Sequence, residues 1–477
     1  MKFYLSVLIV TLSLFTYRCN KEPDFDLGKQ VYAANCVSCH QTKNTDLFSK
    51  KWKGKLAHSY VSTVITTGID SLQMPSFENE LSDFEISSLT HFIISNINDS
   101  AGYDMANNEK RKEFYSTEKM DFKLEKVLSG DNMPKGWIFK NPWSISFIDS
   151  INLLVTEKSG VLYHYNLNTN KIVKIKNLPF IDVSEHGGLL DVEVHPNFKQ
   201  NKTIYLAYSV SGTILKTLRV SRFKLLNDSL ELINTFLEVE PWYIAGQEFG
   251  SRMFFDDQLK LFVTVGNRTL YDECQDISTD IGKIHRFNDV GTIPSDNPFK
   301  DAKGESTSIY TYGHRNPQGI SINPVDGSIW SVEHGPKGGD ELNLIIKGAN
   351  YGWPLASYGT NYNGSKLTDS TQIKGTEQPV HYWVPSIAPG ALEFVKGDKY
   401  PAWKGNALVT ALQLKHISRL EIENNKVVHE EKLLDVFARM RDIEQSPDGY
   451  IYFTCQLYQA PGEIYKIVPI SSKQAPL

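Results

Sequence analysis

The stretch QGISINPVDGSIWSVEHG, residues 318–335, contains the unit that decides the fold of most of the chain. Two short runs rich in Ile, Val and Trp flank a polar turn with Asn, Pro, Asp and Gly, a pattern typical of two antiparallel strands joined by a turn. Similar units recur, with insertions, at residues 143–160, 189–209, 252–267, 391–412 and 441–455. The chain therefore contains six copies of one β unit.

Six similar units at this spacing predict a propeller. The copies begin about 45–75 residues apart, which fits four-stranded blades arranged around an axis. Each blade then buries both faces against its neighbours, and few strand edges stay open. A β-sandwich is the alternative, but six units over about 350 residues argue against it. We predict a mainly β chain whose residues 121–470 form a six-bladed β-propeller.

Composition and charge restrict the class of protein. The chain has 477 residues, of which 41% are hydrophobic and 22% are charged, and its net charge is −5. These values are typical of a soluble globular protein with more than one domain. They predict no broad positive surface, so we expect no nucleic-acid partner.

Residues 1–19 predict an export signal. Lys2 precedes an apolar run of about 13 residues, which is shorter than the ~20 residues that span a membrane. Cys19 follows the run and is a candidate lipidated residue, although the two residues before it are larger than lipoprotein signals prefer. An uncleaved anchor and a plain secreted form are the alternatives. We expect an exported protein, either in the periplasm or anchored to the membrane by lipid and facing the periplasm.

A small all-α domain over residues 26–97 carries a haem-attachment motif. AANCVSCHQT, residues 33–42, contains C-x-x-C-H, in which Cys36 and Cys39 form thioether bonds to haem and His40 is an axial iron ligand. A zinc or redox site is the alternative for C-x-x-C. No second Cys pair lies nearby in the sequence, and the following His favours haem.

Met74 in LQMPSF is the candidate for the sixth iron ligand. Pro75 favours an extended or turn backbone after it. His58 and His91 are weaker candidates, and a core methionine is the alternative. The stretch resembles a class I cytochrome c, which implies a covalently bound haem c that accepts electrons at the raised potential of His/Met ligation. Residues 98–120 are polar and are interpreted as a linker.

Five further stretches, in this order, resemble the soluble aldose sugar dehydrogenase and soluble glucose dehydrogenase family. That resemblance covers nearly all of residues 130–468 and implies a six-bladed propeller that holds pyrroloquinoline quinone and calcium. It also implies oxidation of an aldose, or a related sugar or alcohol, by hydride transfer to the quinone. The stretches are GGLLDVEVHPNF at 187–198, YGHRNPQG at 312–319, EHGPKGGDELN at 333–343, NYGWP at 350–354 and GTEQPV at 375–380.

The resemblance implies five contacts to the quinone outside the catalytic base. Arg315 and Asn316 offer a guanidinium fork and an amide, which suit a carboxylate and a carbonyl. Arg439 and Arg441 lie two apart in ARMRD, so on a strand they would point to the same side. Tyr362 in NYNG matches a tyrosine that contacts the cofactor.

Calcium ligands are implied in the same way. The carbonyls of Gly335 and Pro336, in a glycine-rich turn, would bind the calcium that lies against the quinone as a Lewis acid. Glu341 and Tyr351 match a second, structural calcium site. A turn carboxylate and a core aromatic residue are the alternatives for these two positions.

The family's general base is a histidine in H-x-G-[GS]-R-[LM], and this chain departs from that motif. Here the stretch is QEFGSRM, with Glu248 in the histidine's place, while His186 stands where the family has glutamine before the glycine pair. A carboxylate of ordinary pKa ~4.3 is a weaker base at neutral pH than an imidazole of pKa ~6.5. Either residue is a candidate base, or Glu248 orients His186, which would also contact the quinone.

A second departure concerns positive charge near the quinone. In ALQLKH this chain has Gln413 where the family usually has Lys or Arg. Lys415 could replace that charge, since a residue two positions on returns to the same strand face. The remaining cysteines, Cys274 and Cys455, are expected to be buried thiols or, in an oxidising compartment, a disulfide.

These patterns together predict a quinoprotein dehydrogenase fused to its own electron acceptor. A tethered haem has a high effective concentration, so no diffusing acceptor is needed for the first step. Electrons would then pass to a downstream cytochrome or respiratory chain. The alternative is a non-catalytic haem-bearing propeller that binds a glycan or a protein partner. A hydrolase would need a nucleophile motif, which the sequence lacks.

Overall fold

A computed structural model of the chain describes residues 24–36, 58–68, 74–99, 112–362, 365–457 and 460–470. The chain divides into two compact units, Met1–Met105 and Ala106–Leu477. The predicted export signal, with Cys19, and the haem-motif residues Cys39 and His40 lie outside the described residues. No helix within the described ranges is long and apolar enough to cross a membrane.

The first unit is helical in its described parts. Its helices are α1 (Phe25–Asn35), α2 (His58–Thr67) and α3 (Asp83–Asp99). The Ser82 backbone N–H donates to Glu85 Oε2 at 2.9 Å and the Glu85 N–H donates to Ser82 Oγ at 3.3 Å, a capping box that starts α3. The core contains the predicted stripe of α3 and residues from the other helices: Val31, Tyr32, Val61, Ile65, Phe77, Ile86, Leu89, Phe92 and Ile93.

Of the haem-site candidates, the structure describes the side chains of Cys36, Met74 and the weaker candidate His91, which lies on α3. Cys36 follows the last residue of α1 and is buried. Met74 is half-buried and packs against the helical core. The chain crosses itself closely there, because a Cβ on Gly68, whose φ is +70°, would lie 2.6 Å from the Met74 carbonyl oxygen. Glycine at this position lets α2 end beside Met74.

The second unit consists of six antiparallel sheets, each a blade. Two strands precede the first blade: β1 (Phe114–Tyr115) and β2 (Phe122–Ser129). Blade one contains β3 (Pro142–Phe147), β4 (Asn152–Glu157), β5 (Val161–Asn166) and β6 (Lys171–Lys174). Blade two contains β7 (Leu189–Val194), β8 (Thr203–Ser211), β9 (Lys216–Leu226) and β10 (Ser229–Glu238). Blade three contains β11 (Gly250–Phe255), β12 (Lys260–Val265), β13 (Lys283–Asn288) and β14 (Ile309–Tyr312).

The second half of the ring has the same plan. Blade four contains β15 (Pro317–Ile322), β16 (Ile329–Glu333), β17 (Asp340–Ile345) and β18 (His381–Trp383). Blade five contains β19 (Pro389–Phe394), β20 (Ala407–Ala411), β21 (Ile417–Glu423) and β22 (Lys426–Leu433). Blade six contains β23 (Arg439–Gln445), β24 (Ile451–Gln456) and β25 (Glu463–Pro469). Short helical turns occur at α4 (Phe198–Asn201) and, as 3-10 turns, at Gly130–Asn132, Asp272–Gln275 and Pro401–Trp403.

Both ends of the propeller sequence build blade six. Strand β2 pairs with β25 from Phe122 opposite Pro469 to Ser129 opposite Glu463, and β1 adds a fifth strand outside β2. The innermost strands β3, β7, β11, β15, β19 and β23 contact one another in a closed ring. The six-bladed propeller predicted from the sequence is confirmed, and the β-sandwich alternative is wrong. Strand β1 lies within the stretch that we interpreted as a linker.

The strands are apolar on both faces because neighbouring blades cover both faces. In β4, for example, all residues after Asn152 are buried. One hydrophobic cluster joins Leu190 and Tyr205 of blade two to Leu261 and Val263 of blade three. A sheet with one face in water alternates hydrophobic and polar residues along each strand. The blades lack this alternation because side chains on both faces are buried between neighbouring blades.

The segments that precede the innermost strands meet at one end of the propeller, which we call the mouth. Each blade begins at its innermost strand and has the same strand order, so these strands start at the same end. His186 lies just before β7, Glu248 before β11, and Arg315 before β15, while Arg439 begins β23. The fold therefore brings residues from four blades to one place.

Candidate active site

Glu248 and Arg315 form an ion pair at the mouth, between Glu248 Oε1 and Arg315 Nη2. The Arg315 Nη1 also donates to the His334 carbonyl oxygen at 3.1 Å. The side chains of Arg315 and Glu248 are only 5% and 12% exposed, so water screens the pair weakly. The second carboxylate oxygen, Glu248 Oε2, is buried and makes no hydrogen bond to any described residue. One oxygen of this carboxylate is therefore anchored and the other is unbonded.

The backbone at Glu248 is held in an unusual conformation. Its φ is +52°, in the left-handed region that L-residues rarely adopt. Gly266 allows the close approach of this segment, because a Cβ there would lie 2.1 Å from the Glu248 carbonyl oxygen. Burial raises the pKa of Glu248, while the neighbouring Arg315 and, to a smaller extent, the backbone N–H of Thr269 oppose that shift. Burial has the larger effect, so the Glu248 carboxylate binds a proton more tightly than an exposed glutamate does.

His186 lies on the neighbouring loop at the rim of the mouth. Its backbone N–H donates to the Gly246 carbonyl oxygen at 2.9 Å, which places the two candidate-base loops side by side. Desolvation, then the charges of Arg441 and Lys158, lower the pKa of His186. The imidazole is therefore neutral at neutral pH. The structure places the Glu248 carboxylate against Arg315 and not against His186.

Positive charges crowd together in the part of the mouth next to His186. The guanidinium of Arg441 stacks on Trp143, with its carbon 3.7 Å from the ring centroid. Burial, and then Arg439 and Arg252, hold the pKa of Arg441 well below its usual range. Desolvation and Arg441 likewise lower the pKa of Lys158. A bound anion would reduce the repulsion between these cations in their partly buried site. A quinone with three carboxylates would be such an anion.

Arg439 and Arg441 do not follow the simple strand alternation that we predicted. The pairing of β23 with β24 shifts register between Met440 and Ile443, so a bulge interrupts the strand at these arginines. Arg439 Nη1 donates to the Leu412 carbonyl oxygen at 3.2 Å. Both guanidinium groups still act on the same neighbours, because each lowers the pKa of His334.

The side chain of Asn316 links two blades. Its Oδ1 accepts hydrogen bonds from the Gly250 N–H at 3.1 Å and from Gln318 Nε2 at 3.0 Å, so it ties blade four to blade three. Its Nδ2 lies 3.5 Å from His334 Nδ1. The amide nitrogen is thus the part of Asn316 that is suited to a further acceptor.

Sequence analysis missed His334, a half-buried residue whose ring is affected by the charges of Arg315, Arg439 and Arg441. Burial and the charges of Arg315 and Arg441 lower its pKa to about 3, so the ring is neutral. His334 Nε2 lies 2.8 Å from the Pro389 carbonyl oxygen, which fixes the proton on that nitrogen. His334 is the second residue of EHGPKGGDE, and its position directly before Gly335 and Pro336 could have marked it as a candidate.

Asp340, also missed, anchors the turn that contains Gly335 and Pro336. Its Oδ1 accepts from the Gly335 N–H at 2.8 Å, and its Oδ2 accepts from Ser386 Oγ at 2.6 Å and from the N–H groups of Ile387 and Ala388 at 2.8 and 2.7 Å. The turn is tight, because a Cβ on Gly335 would lie 2.3 Å from the Gly339 carbonyl oxygen. One carboxylate therefore fixes both the proposed calcium turn and the loop before β19.

Glu341 faces Glu333 across strands β17 and β16. Burial and the charge of Glu333 raise the pKa of Glu341 to about 8. A cavity of about 10 Å³, enough for one small occupant, adjoins both carboxylates and Tyr351. A cation there would relieve the repulsion, so these hard oxygen donors fit calcium. Among the described residues, no three His, Cys, Asp or Glu side chains are placed to hold a metal, so backbone carbonyls would complete such a site.

Tyr351 could contribute to that site only through its backbone. Its hydroxyl donates to the Leu344 carbonyl oxygen at 2.6 Å and accepts from the Ile346 N–H at 2.8 Å. Its ring stacks on His314 with centroids 4.5 Å apart. The aromatic side chain is therefore a core element, as the alternative interpretation had it.

The remaining candidates are more dispersed. Tyr362 is 69% exposed. Lys415 is buried, but its φ of +58° and its place between β20 and β21 put it in a turn, so the same-face argument for replacing the charge at Gln413 does not apply. Cys274 and Cys455 lie buried in blades three and six as thiols. Burial raises the pKa of Cys274.

Comparison with known proteins identifies both units. The Glucose / Sorbosone dehydrogenase family matches residues 139–466, and the family of cytochrome c oxidase, cbb3-type, subunit III matches residues 23–93. Aldose sugar dehydrogenase YliI of Escherichia coli (strain K12) is 36% identical over 336 residues, which cover 69% of this chain and 90% of that protein. Quinoprotein glucose dehydrogenase B of Acinetobacter calcoaceticus is 26% identical over 426 residues, which cover 70% of this chain and 87% of that protein.

Solved structures show the same fold. The soluble aldose sugar dehydrogenase from Escherichia coli in the apo-form superposes with a TM-score of 0.67 at 33% identity, covering 73% of this chain and 100% of that one. The PQQ-bound aldose sugar dehydrogenase from Streptomyces coelicolor has a TM-score of 0.60 at 20% identity and covers 73% of this chain and 98% of its own. The chain belongs to the glucose/sorbosone dehydrogenase family, and a cytochrome c domain precedes its propeller.

Proposed function

We propose that the protein is a quinoprotein dehydrogenase that oxidises an aldose, or a related sugar or alcohol. Pyrroloquinoline quinone and calcium would be its cofactors, and its own covalently bound haem c the first electron acceptor. The observation that carries the proposal is the mouth. It combines mutually repelling cations with Glu248, a carboxylate that has one anchored and one unbonded oxygen. The names of two relatives, a quinoprotein and a PQQ-bound enzyme, support the choice of cofactor.

The residues of the mouth have separate tasks in this proposal. Arg439, Arg441 and Lys158 pair with the carboxylates of the quinone. The carbonyls of Gly335 and Pro336, held by Asp340, bind calcium. When bound, the quinone supplies a carbonyl carbon that accepts hydride, and calcium supplies Lewis acidity.

Glu248 is the general base. Its Oε2 accepts the proton of the substrate hydroxyl while the carbon that bears that hydroxyl loses hydride, so the alcohol becomes a carbonyl. Arg315 keeps Oε1 in place and opposes the effect of burial, so the carboxylate stays ionised more readily than burial alone would allow. His186, neutral and on the adjoining loop, is the second candidate base.

The cytochrome c domain would then accept the two electrons one at a time, with the downstream acceptor taking the first before the second arrives. Cys36 and Cys39 hold the haem, with His40 and Met74 as iron ligands. Tethering the haem to the propeller gives it a high effective concentration at the electron donor. The protein would be exported to the periplasm, where a downstream cytochrome or respiratory chain accepts the electrons, with lipidation of Cys19 as one route to the membrane.

Reconstitution tests the proposal. The purified full chain with haem is loaded with pyrroloquinoline quinone and calcium, and the haem absorption is followed while a panel of aldoses is added. We expect haem reduction that depends on added sugar, and no reduction when quinone is omitted. A chain that binds a glycan but neither binds quinone nor reduces haem would instead be the non-catalytic propeller.

A further inference from the structure

We propose that Arg268 is a positioning residue for Glu248: its guanidinium holds residues 245–249, which we call the Glu248 segment, so that one carboxylate oxygen stays unbonded. The inference rests on the proposed role of Glu248 as the base. Arg268 lies in the loop after β12, and its side chain is fully buried.

Arg268 contacts the Glu248 segment on both sides of Glu248. Its Nε donates to the Gln247 carbonyl oxygen at 3.0 Å, and its Nη2 donates to the Ala245 carbonyl oxygen at 2.6 Å. Its backbone N–H donates to the Glu248 carbonyl oxygen at 3.3 Å. The guanidinium carbon also lies 4.0 Å from the ring centroid of Phe249. Four residues of a five-residue segment thus depend on one side chain and its own backbone.

The same guanidinium connects the Glu248 segment to the loop of His186. Its Nη2 donates to the Lys216 carbonyl oxygen at 3.3 Å. The Lys216 ammonium in turn binds Ser184 Oγ at 2.8 Å and Glu185 Oε1 at 2.7 Å. Glu185 Oε2 accepts from the Gly246 N–H at 3.1 Å, which closes a circuit of hydrogen bonds around both loops. Arg268 is the buried member of this circuit.

The backbone gives an independent indication. Glu248, Arg268 and Thr269 have φ values of +52°, +50° and +64°, a left-handed region in which each such residue costs about 1 kcal/mol or more. Such conformations persist only where the surroundings impose them. The hydrogen bonds of Arg268 to the Ala245, Gln247 and Glu248 carbonyl oxygens are contacts that can impose this conformation at Glu248.

Arg268 is also a costly choice if its role were only to stabilise the fold. Burial lowers its pKa to about 10, with Glu185 as the charge that opposes this shift, so it remains a buried cation at neutral pH. Its Nη1 is buried and has no hydrogen-bond partner among the described residues. A buried charge with an unpaired donor lowers the stability of the folded state, so its presence here indicates a role other than stabilisation.

Two variants and a matched control test the inference. R268M removes the donors and the charge but keeps an apolar stem, while R268K keeps the charge and loses the fork. The control is R419M, because Arg419 is equally buried, binds Glu431 and Asn406 in blade five, and touches no mouth residue. Each variant is compared with the wild-type full chain, loaded with quinone and calcium, for kcat, KM and thermal unfolding. In addition, the Glu248 carboxyl is titrated by carbon-13 NMR in quinone-free protein, with E248Q to assign the signal.

We expect R268M to lower kcat about 100-fold with KM changed less than about threefold, since a misplacement of about 1 Å has such an effect. R268K should fall between R268M and the wild type. The pKa of Glu248 should drop towards its ordinary value in R268M, because the freed segment becomes more exposed. R419M should lose thermal stability and nothing else. If R268M and R268K match R419M in kcat and leave the Glu248 titration unchanged, Arg268 is purely structural and the inference is wrong.

The two proposals fail in different ways. If the wild type oxidises no sugar with quinone and calcium, the proposed function is wrong, whereas the carboxyl titration still decides the role of Arg268. A changed titration in the Arg268 variants then supports positioning, and an unchanged one overturns it. If R268M does not fold, R268K answers the same questions.

Discussion

Arg315 of blade four pairs with Glu248 of blade three across the mouth of the propeller, although the two residues are 67 positions apart in the sequence. Arg315 was expected to bind the quinone, and Glu248 stands where the family has its catalytic histidine. The ion pair therefore joins a proposed cofactor ligand to the proposed base. A substitution at either residue should therefore change the electrostatic environment of the other.

E248Q should separate turnover from cofactor binding. Loss of the proton acceptor should lower kcat by about 100-fold or more. Quinone binding should be kept or strengthened, because Arg315 no longer shares its charge with a carboxylate. Haem reduction measures the first effect and calorimetric titration with the quinone measures the second. E231Q, at an exposed site on β10, is the control and should alter neither. An E248Q enzyme with wild-type turnover would transfer the role of base to His186.

H186Q restores the residue that the family has at this position. Because Glu248 is the proposed base, we expect turnover within about threefold of the wild type, since an amide can replace a neutral imidazole as a cofactor contact. H186A should weaken quinone binding without changing the pH at which activity falls. Measurement of kcat against pH for both variants checks this. A loss in H186Q as large as that in E248Q would mean that the two side chains act as one unit.

R441M should have opposite effects on stability and on cofactor binding. Arg441 is a buried cation whose nearest charged neighbours include Arg439 and Arg252, so its removal relieves repulsion and should raise the Tm by a few degrees. Methionine can keep the contact with Trp143. Quinone affinity should nevertheless fall at least tenfold, because an ion-pair partner is lost. R419M, which removes an arginine that is paired with Glu431, should lower the Tm. A fall in Tm for R441M would show that the cations are compensated in the quinone-free protein.

Glu157 should make the propeller less stable as the pH rises. Burial raises the pKa of this carboxyl to about 7 from its usual 4.5, although the N–H groups of Asn141 and Lys140 bind it. A raised acid pKa means that the folded state holds an extra proton, so this stabilisation is complete below pH 4.5 and is lost as the pH rises through 7. The difference corresponds to about 3 kcal/mol.

E157Q checks that sign. We expect the free energy of unfolding of the wild type to fall between pH 5 and pH 8 relative to that of E157Q, as measured by urea denaturation of the propeller. E125Q, at a half-exposed position on β2, is the matched control and should follow the wild type. Parallel curves for wild type and E157Q would show that Glu157 titrates normally.

Much of the fold followed from the sequence because each blade repeats one local pattern. The closure of blade six did not, since β2 and β25 pair over more than 300 residues and neither strand carries a signal for the other. The ion pair between Glu248 and Arg315 could not be predicted either, because the two residues are far apart in the sequence and neither indicates the other as its partner. The bulge in β23 beside Arg441 was likewise not predicted, because no residue in the sequence marks it.

The site residues that sequence analysis missed have a common character. Asp340, His334 and Arg268 are polar side chains whose partners are mainly backbone groups on other segments. A backbone partner leaves no trace in the sequence, so such residues look like ordinary loop positions. The candidate residues that sequence analysis named are those whose chemistry suits a ligand that the resemblance implies.

The pairing of β2 with β25 also sets an order of events for a chain made from its N-terminus. The ring cannot close until residues 463–469 have emerged, and Arg439 and Arg441 sit on the sheet that those residues complete. The proposed quinone site is therefore incomplete until residues 463–469 are present, and a chain that is truncated before β25 should not bind the quinone.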